Sequence, residues 1–263
     1  MTIHSEEQQT LLNCEVHGQY SGKKSTTFGF THTESCPTCL IIEAVQKAET
    51  KAQEEKNNQL RKIAKLKRDA DIPHRFKECT FDNYIATTEN QITALKICKQ
   101  TASSIQEGKL ASLVLLGSVG TGKTHLAIAI ANASMECEYS ATYTTVRELI
   151  RSVRATWSKN SSYSESEVIS RYIDCDILIL DEVGVQASSE NERNILFDIF
   201  DARYGSCLPT VVISNLDMPN LTEALGDRII DRLRDDGKVV TCNWPSSRGK
   251  KAQQHRQPIP EVS

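Results

Sequence analysis

Three groups of residues in this chain could do chemistry, and each has a spacing that its chemistry requires. The first is the run Gly117-Ser118-Val119-Gly120-Thr121-Gly122-Lys123-Thr124, which has the form G-x-x-x-x-G-K-[ST]. Its glycines let the backbone curl so that successive N–H groups face phosphate oxygens, and a helix starting at the end of the run adds the positive end of its dipole. Lys123 then reaches the β- and γ-phosphates, and the Thr124 hydroxyl ligates Mg²⁺. The second group is Asp181-Glu182, directly after the apolar run Ile177-Leu178-Ile179-Leu180. Asp181 suits the carboxylate that holds magnesium, and Glu182 suits a base that polarises an attacking water. A glutamate in that place favours hydrolysis, since transfer between small molecules needs no water-activating base.

The third group lies near the amino terminus. Cys14 and His17 form one pair, and after 18 intervening residues Cys36 and Cys39 form another. Two close pairs are the spacing of a tetrahedral Zn²⁺ site, with Gly18 and Pro37 suited to the turns. Four protein ligands leave no open position, so the metal would be structural. Unrelated thiols in a flexible arm are the alternative. Cys79, Cys98, Cys137, Cys175, Cys207 and Cys242 have no ligand spacing and read as small buried apolar residues.

Two further features are less specific. Asn215 follows the apolar run Thr210 to Ser214, where its amide could hold a lytic water in line or could merely end a strand. Arg228 and Arg232 are four residues apart and share a helix face. They could reach a neighbouring subunit's nucleotide as an arginine finger, or pair on the surface with Asp227, Asp231, Asp235 or Asp236.

The elements that must position these groups follow from pattern and composition. The chain has 263 residues with 31 basic and 34 acidic side chains, a net charge of −3 that excludes a globally basic nucleic-acid binder. No apolar run is long enough to span a membrane, and the first residues lack the order of a signal peptide, so a cytoplasmic protein is expected. Residues 1–40 are polar and cannot build a hydrophobic core alone. Residues 41–72 are rich in helix formers and read as a charged linker helix, ending before Pro73. Its basic stretch, Gln59 to Arg68, is a solvated face or a contact for nucleic acid or an acidic partner.

From residue 73 the chain alternates apolar runs with helical patterns, the mark of an α/β domain with a parallel sheet. Strands are predicted over 113–116, 141–146, 176–180, 210–214 and 238–242. Helices are predicted over 89–106, 124–136, 146–157, 165–173, 189–204 and 221–234. In the first of these helices Ile92, Leu95, Cys98, Ala102 and Ile105 fall on one side. The domain extends to about residue 248, and residues 249–263 read as a flexible basic tail.

Taken together, these motifs resemble the AAA+ ATPases, and within them the DnaC-like replicative helicase loaders of bacteria and phages, with the IstB-like transposition ATPases next. The residues that carry the likeness are Thr80 to Tyr84, Gly120 to Ala127, Asp176 to Gln186, Pro209-Thr210 with Ser214-Asn215, Leu225 to Arg234, and Asn243-Trp244. The resemblance implies a P-loop AAA+ sheet with a reduced lid, Lys123 and Thr124 on ATP and Mg²⁺, and Asp181 and Glu182 as the Walker B pair. It further implies Asn215 as sensor I, Arg232 with Arg228 beside it as the trans arginine finger, and Arg248 in the place of sensor II. His125 belongs to the family's pattern at the nucleotide loop, although its chemistry alone reads as helix packing. The family touches single-stranded DNA with the helix after its second strand, here bearing Arg147, Arg151, Arg154 and Trp157; Trp157 could equally pack on its own domain. The implied function is ATP-dependent, DNA-stimulated loading of a hexameric replicative helicase onto single-stranded DNA, by ATPase domains that self-associate. An IstB-like partner of a transposase would share every ATPase residue, and a zinc-bearing DNA adaptor could use ATP only as a binding switch. A P-loop kinase of small metabolites is disfavoured by Glu182 and Asn215.

Overall fold

A computed structural model describes residues 6–27, 30–158, 160–184, 190–235 and 237–246. The chain divides into two compact units, residues 1–61 and 62–263. The first holds a three-stranded antiparallel sheet, β1 (Glu6–Cys14), β2 (Gly18–Thr27) and β3 (Phe30–Thr33), in the order β1-β2-β3. The sequence pattern gave no strand here, because these strands have little apolar alternation. Their threonines supply β-branching instead, and the register runs from Glu6 against Thr26 to Cys14 against Gly18. Leu11, Val16 and Phe30 are exposed, so apolar burial contributes little. The helix α1 (Pro37–Asp69) begins earlier than residue 41 and takes in Cys39, with Pro37 at its first position. The two units divide after Arg61, inside this helix.

In the second unit a short 3₁₀ turn (His74–Phe76) leads to α2 (Glu89–Gln106), which matches its predicted span. The buried face differs from expectation. It is formed by Gln91, Ala94, Cys98, Thr101, Ala102 and Ile105, while Ile92 is 56% exposed. A capping box sets this phase: the Thr88 side chain accepts from Gln91 N, and Gln91 Oε1 accepts from Thr87 and Thr88, which turns Gln91 inward.

Then follow β4 (Leu113–Gly117), α3 (Lys123–Met135), β5 (Ala141–Thr145), α4 (Val146–Ala155), α5 (Glu165–Ile173), β6 (Ile177–Asp181), α6 (Glu190–Gly205) and β7 (Thr210–Ser214). The predicted helix over 221–234 is two helices, α7 (Met218–Leu225) and α8 (Asp227–Asp235), parted at Gly226, whose φ of 87° breaks the run. The last strand is β8 (Lys238–Cys242). The five strands form a parallel sheet in the order β5-β6-β7-β4-β8, with helices on both faces. One face packs Leu113, Leu115, Ile177 and Ile179 under α2 and α3. The other packs Val114, Leu116, Leu178 and Leu180 under α4 to α8. Alternate residues of each strand thus serve opposite layers, as the pleat requires. The edge of β5 is partly covered, because Tyr143 N donates to Ala70 O at 2.9 Å.

The cysteine reading is corrected in part: Cys79, Cys98, Cys175 and Cys242 are buried, but Cys137 and Cys207 are exposed. The basic end of α1 is a paired surface, with Lys62 on Glu138 and Lys67 on Glu136. Among the described residues no helix is long and apolar enough to cross a membrane.

Candidate nucleotide site and metal cluster

The carboxyl ends of β4, β6 and β7 bring the chemistry-bearing residues together. The loop after β4 needs its glycines for two separate reasons. Gly117 has φ 133°, and a Cβ there would lie 2.2 Å from Cys242 O, so β8 leaves no room for a side chain. Gly122 has φ 90° and starts α3 in the left-handed region, with the Tyr84 ring closing over the space a Cβ would fill.

Within the loop the Thr121 hydroxyl donates to Ser118 O at 2.9 Å, and the buried Trp244 indole N–H donates to Thr121 O at 2.8 Å. A residue just beyond the last strand thereby braces the loop. Lys123 is buried, and its Nζ donates to Gly117 O (2.6 Å), Ser118 O (2.8 Å) and Asn215 Oδ1 (3.0 Å). The ammonium is thus tethered to the end of β7, 92 residues away in sequence.

Thr124 and Asp181 also meet. The Thr124 hydroxyl donates to Asp181 Oδ2 at 2.9 Å, and the Tyr143 hydroxyl donates to the same oxygen at 3.0 Å. Asp181 Oδ1 accepts from Glu182 N at 2.7 Å. Burial, then the Asp181 charge beside it, raises the Tyr143 phenol above its ordinary range, so it stays a donor. Glu182 has φ 58°, a left-handed conformation that costs a non-glycine residue on the order of 1–2 kcal/mol. It is exposed at the strand end. A hydroxyl and a carboxylate at the start of a phosphate-facing helix are hard oxygen donors, the set that suits Mg²⁺.

His125 contacts the segment before α2. Its Nε2 lies 2.9 Å from Thr80 O and its ring meets Tyr84 edge-on, so it fastens the segment before α2 to α3. The sequence reading missed Tyr143; a tyrosine in a buried strand, whose hydroxyl must find a partner, was the available signal.

The remaining site candidates are spread over the second unit. On α8, Arg228 is exposed, whereas Arg232 turns against α6: it pairs with Asp201 and its guanidinium lies 5.1 Å from the Phe197 ring and 5.6 Å from that of Tyr204. Its acidic partner is thus none of the aspartates near it in sequence. Helix α4 buries Leu149, Ile150 and Val153 and leaves Arg147, Arg151 and Arg154 outward. Arg154 pairs with Glu192 at 2.7 Å. The helix stops at Ala155, so Trp157 stands in the following turn, 54% exposed, with its indole N–H donating to Glu165 at 2.7 Å. Arg248 and the segment from Val185 to Ser189 lie outside the described residues.

In the first unit, Cys14 closes β1, His17 follows in the hairpin turn, and Cys36 and Cys39 flank the start of α1. Their ligand atoms all lie within 4.8 Å of one another, with Cys14 Sγ to Cys39 Sγ at 3.5 Å and His17 Nδ1 at 3.3 to 3.8 Å from the three sulfurs. Zinc–sulfur bonds of about 2.3 Å at tetrahedral angles place sulfurs about 3.8 Å apart, so the donor set fits such an ion. Backbone N–H groups of Val16 and His17 at Cys14, and of Cys39 and Thr38 at Cys36, lower both thiols.

The parallel sheet, the loop on Lys123 and the acidic end of β6 define a P-loop nucleotide-binding protein of the AAA+ class. The chain belongs to the family of IstB-like ATP binding proteins, whose pattern matches residues 41–255. It is 33% identical over 197 residues to the replicative helicase loader DnaC of Escherichia coli strain K12, a span covering 74% of this chain and 80% of that protein. The structure of DnaI shares 26% of its residues, with a TM-score of 0.57 over 67% of this chain and 94% of that one. A structure of the DnaC helicase loader, 20% identical, has the same fold at a TM-score of 0.57, covering 64% of this chain and 99% of that one. The chain is therefore a homologue of the DnaC and DnaI proteins.

Proposed function

We propose that this protein is a cytoplasmic ATPase that loads a hexameric replicative helicase onto single-stranded DNA. The observation that carries the proposal is one constellation, Lys123 joined to Asn215 and Thr124 joined to Asp181, in a chain homologous to DnaC along most of its length. Residues 1–40 form a zinc-bearing segment that grips the helicase, 41–72 a linker helix, 73–248 the ATPase domain and 249–263 a basic tail.

In the ATPase domain the loop N–H groups and Lys123 bind the β- and γ-phosphates. Mg²⁺, held by Thr124 and Asp181, supplies charge neutralisation on the phosphates. Glu182 polarises a water and Asn215 keeps it in line with the γ-phosphate. Arg232 of a neighbouring subunit, with Arg228 beside it, stabilises the charge that develops, and Arg248 acts as sensor II. Because Arg232 comes from another molecule, hydrolysis by an isolated chain is slow, and DNA-guided assembly raises it. Arg147, Arg151 and Arg154 attract the DNA backbone, and Trp157 stacks on a base, worth about 1–3 kcal/mol.

The test is helicase loading onto protein-coated single strands, with and without ATP and with zinc chelation as a second variable. The proposal expects loading that needs both ATP and metal. Capture of a transposase in place of a helicase would overturn it.

A further inference from the structure

Asp181 is held by a donor that lies outside the residues already assigned to hydrolysis. It is buried at the end of β6, and three donors fix both of its oxygens: Glu182 N on Oδ1, and Thr124 Oγ1 and Tyr143 OH on Oδ2. Two of these donors come from its own turn and from the phosphate loop's helix. The third comes from the neighbouring strand. In the β5–β6 register Thr145 lies opposite Asp181 and Tyr143 opposite Ile179, so Tyr143 is the diagonal neighbour of Asp181 on one sheet face. Tyr143 is only 7% exposed and its backbone N–H is fixed on Ala70 O, so its ring has little freedom and its hydroxyl has a set place.

The bond from Thr124 is tied to the metal: the same hydroxyl oxygen would ligate Mg²⁺ on nucleotide binding, while its proton bonds Asp181. The Tyr143 bond is independent of that event, because the phenol ligates nothing. We propose, resting on the ATPase reading above, that Tyr143 is a positioning residue: it holds the Asp181 carboxylate in the orientation that meets the nucleotide-bound Mg²⁺, and so sets how much Mg²⁺ the site needs. Without it the carboxylate keeps its charge and its bonds to Glu182 N and Thr124 but loses its donor on β5, so the cation must do more of the ordering.

The experiment is equilibrium binding of a fluorescent N-methylanthraniloyl ATP to the full chain, titrated with MgCl₂ and in parallel with EDTA. For Tyr143→Phe, nucleotide affinity in EDTA stays at the wild-type value, and the Mg²⁺ concentration giving half of the metal-dependent gain rises about tenfold, the worth of one hydrogen bond to a charged acceptor. In an Asp181→Asn background the same change adds less than twofold, because the bond no longer ends on a carboxylate. An unchanged Mg²⁺ midpoint in Tyr143→Phe, or a lower one, overturns the proposal while leaving the ATPase reading intact. Loss of affinity in EDTA, or an equal shift in both backgrounds, overturns it in favour of a purely structural tyrosine. If Mg²⁺ does not strengthen nucleotide binding even to the wild-type chain, the ATPase reading itself fails.

Discussion

The two units hold their functional residues in place by different physics. In the second unit a sheet buried on both faces carries the site on its strand ends: every residue of β6 and β7 is buried, and Lys123, Asp181 and Asn215 stand where the strands stop. The first unit has almost no interior. Among its described residues Gly22 and Cys36 are the buried ones, and four ligand atoms draw the hairpin and the start of α1 together. The nucleotide pocket is therefore a consequence of the core, whereas the first unit has the cluster and little apolar interior beside it. Removing a metal should spare one unit and undo the other.

The largest effect follows from that contrast. Stripping zinc from the full chain, with binding worth on the order of 10 kcal/mol, should abolish hydrogen-exchange protection over β1 to β3 and leave β4 to β8 unchanged. Protection that survives chelation would put both units on the same footing. Next comes the pocket: Glu182→Gln should lower turnover about 10²- to 10⁴-fold in a single-turnover assay while ATP affinity stays within about twofold.

A third test attacks the core that supports the pocket. Arg203 is wholly buried. Its guanidinium donates to Thr210 Oγ1 (3.0 Å) and to the carbonyls of Tyr172 (3.0 Å), Ile173 (2.9 Å), Cys175 (2.7 Å) and Pro209 (2.6 Å). It ties the end of α5 and the entry to β6 to the start of β7, and burial lowers its pKa. Arg203→Ala strands several carbonyls and should cost about 3 kcal/mol, lowering the second unit's melting temperature by roughly 6–12 °C in calorimetry. The smallest effect is expected at Ile92. Because it is exposed, Ile92→Ser should move stability by less than about 0.5 kcal/mol, whereas Ala94→Ser, on the buried face, should cost more.

Much of the second unit was legible because its elements obey simple periodicities. The runs at 113, 177 and 210 are uninterrupted because both sheet faces are covered, and the glycines and lysine of the phosphate loop announce their own geometry. What hydrophobic spacing alone could not reveal was decided by polar contacts. The Thr88–Gln91 capping box rotates α2 so that Ile92 faces out, Asp217 starts α7 ahead of the predicted helix and Gly226 divides that helix in two, and Tyr143 enters the site through a hydroxyl whose partner lies 38 residues on. The strands of the first unit were invisible for a further reason: their residues are mostly exposed, and a pattern built on burial carries no trace of them.

In the proposed mechanism the ATP site is completed by a second molecule. Arg232, on α8 and paired with Asp201 within its own chain, must exchange that partner for a neighbour's phosphate. The direct measurement mixes two inactive chains, Glu182→Gln, which lacks the base but keeps the arginine, and Arg232→Ala, which keeps the base, in the presence of single-stranded DNA. The mixture should regain ATP turnover, well above the sum of the separate proteins, at junctions pairing an intact pocket with an intact arginine. Turnover that stays at that sum at every mixing ratio would contradict this mechanism.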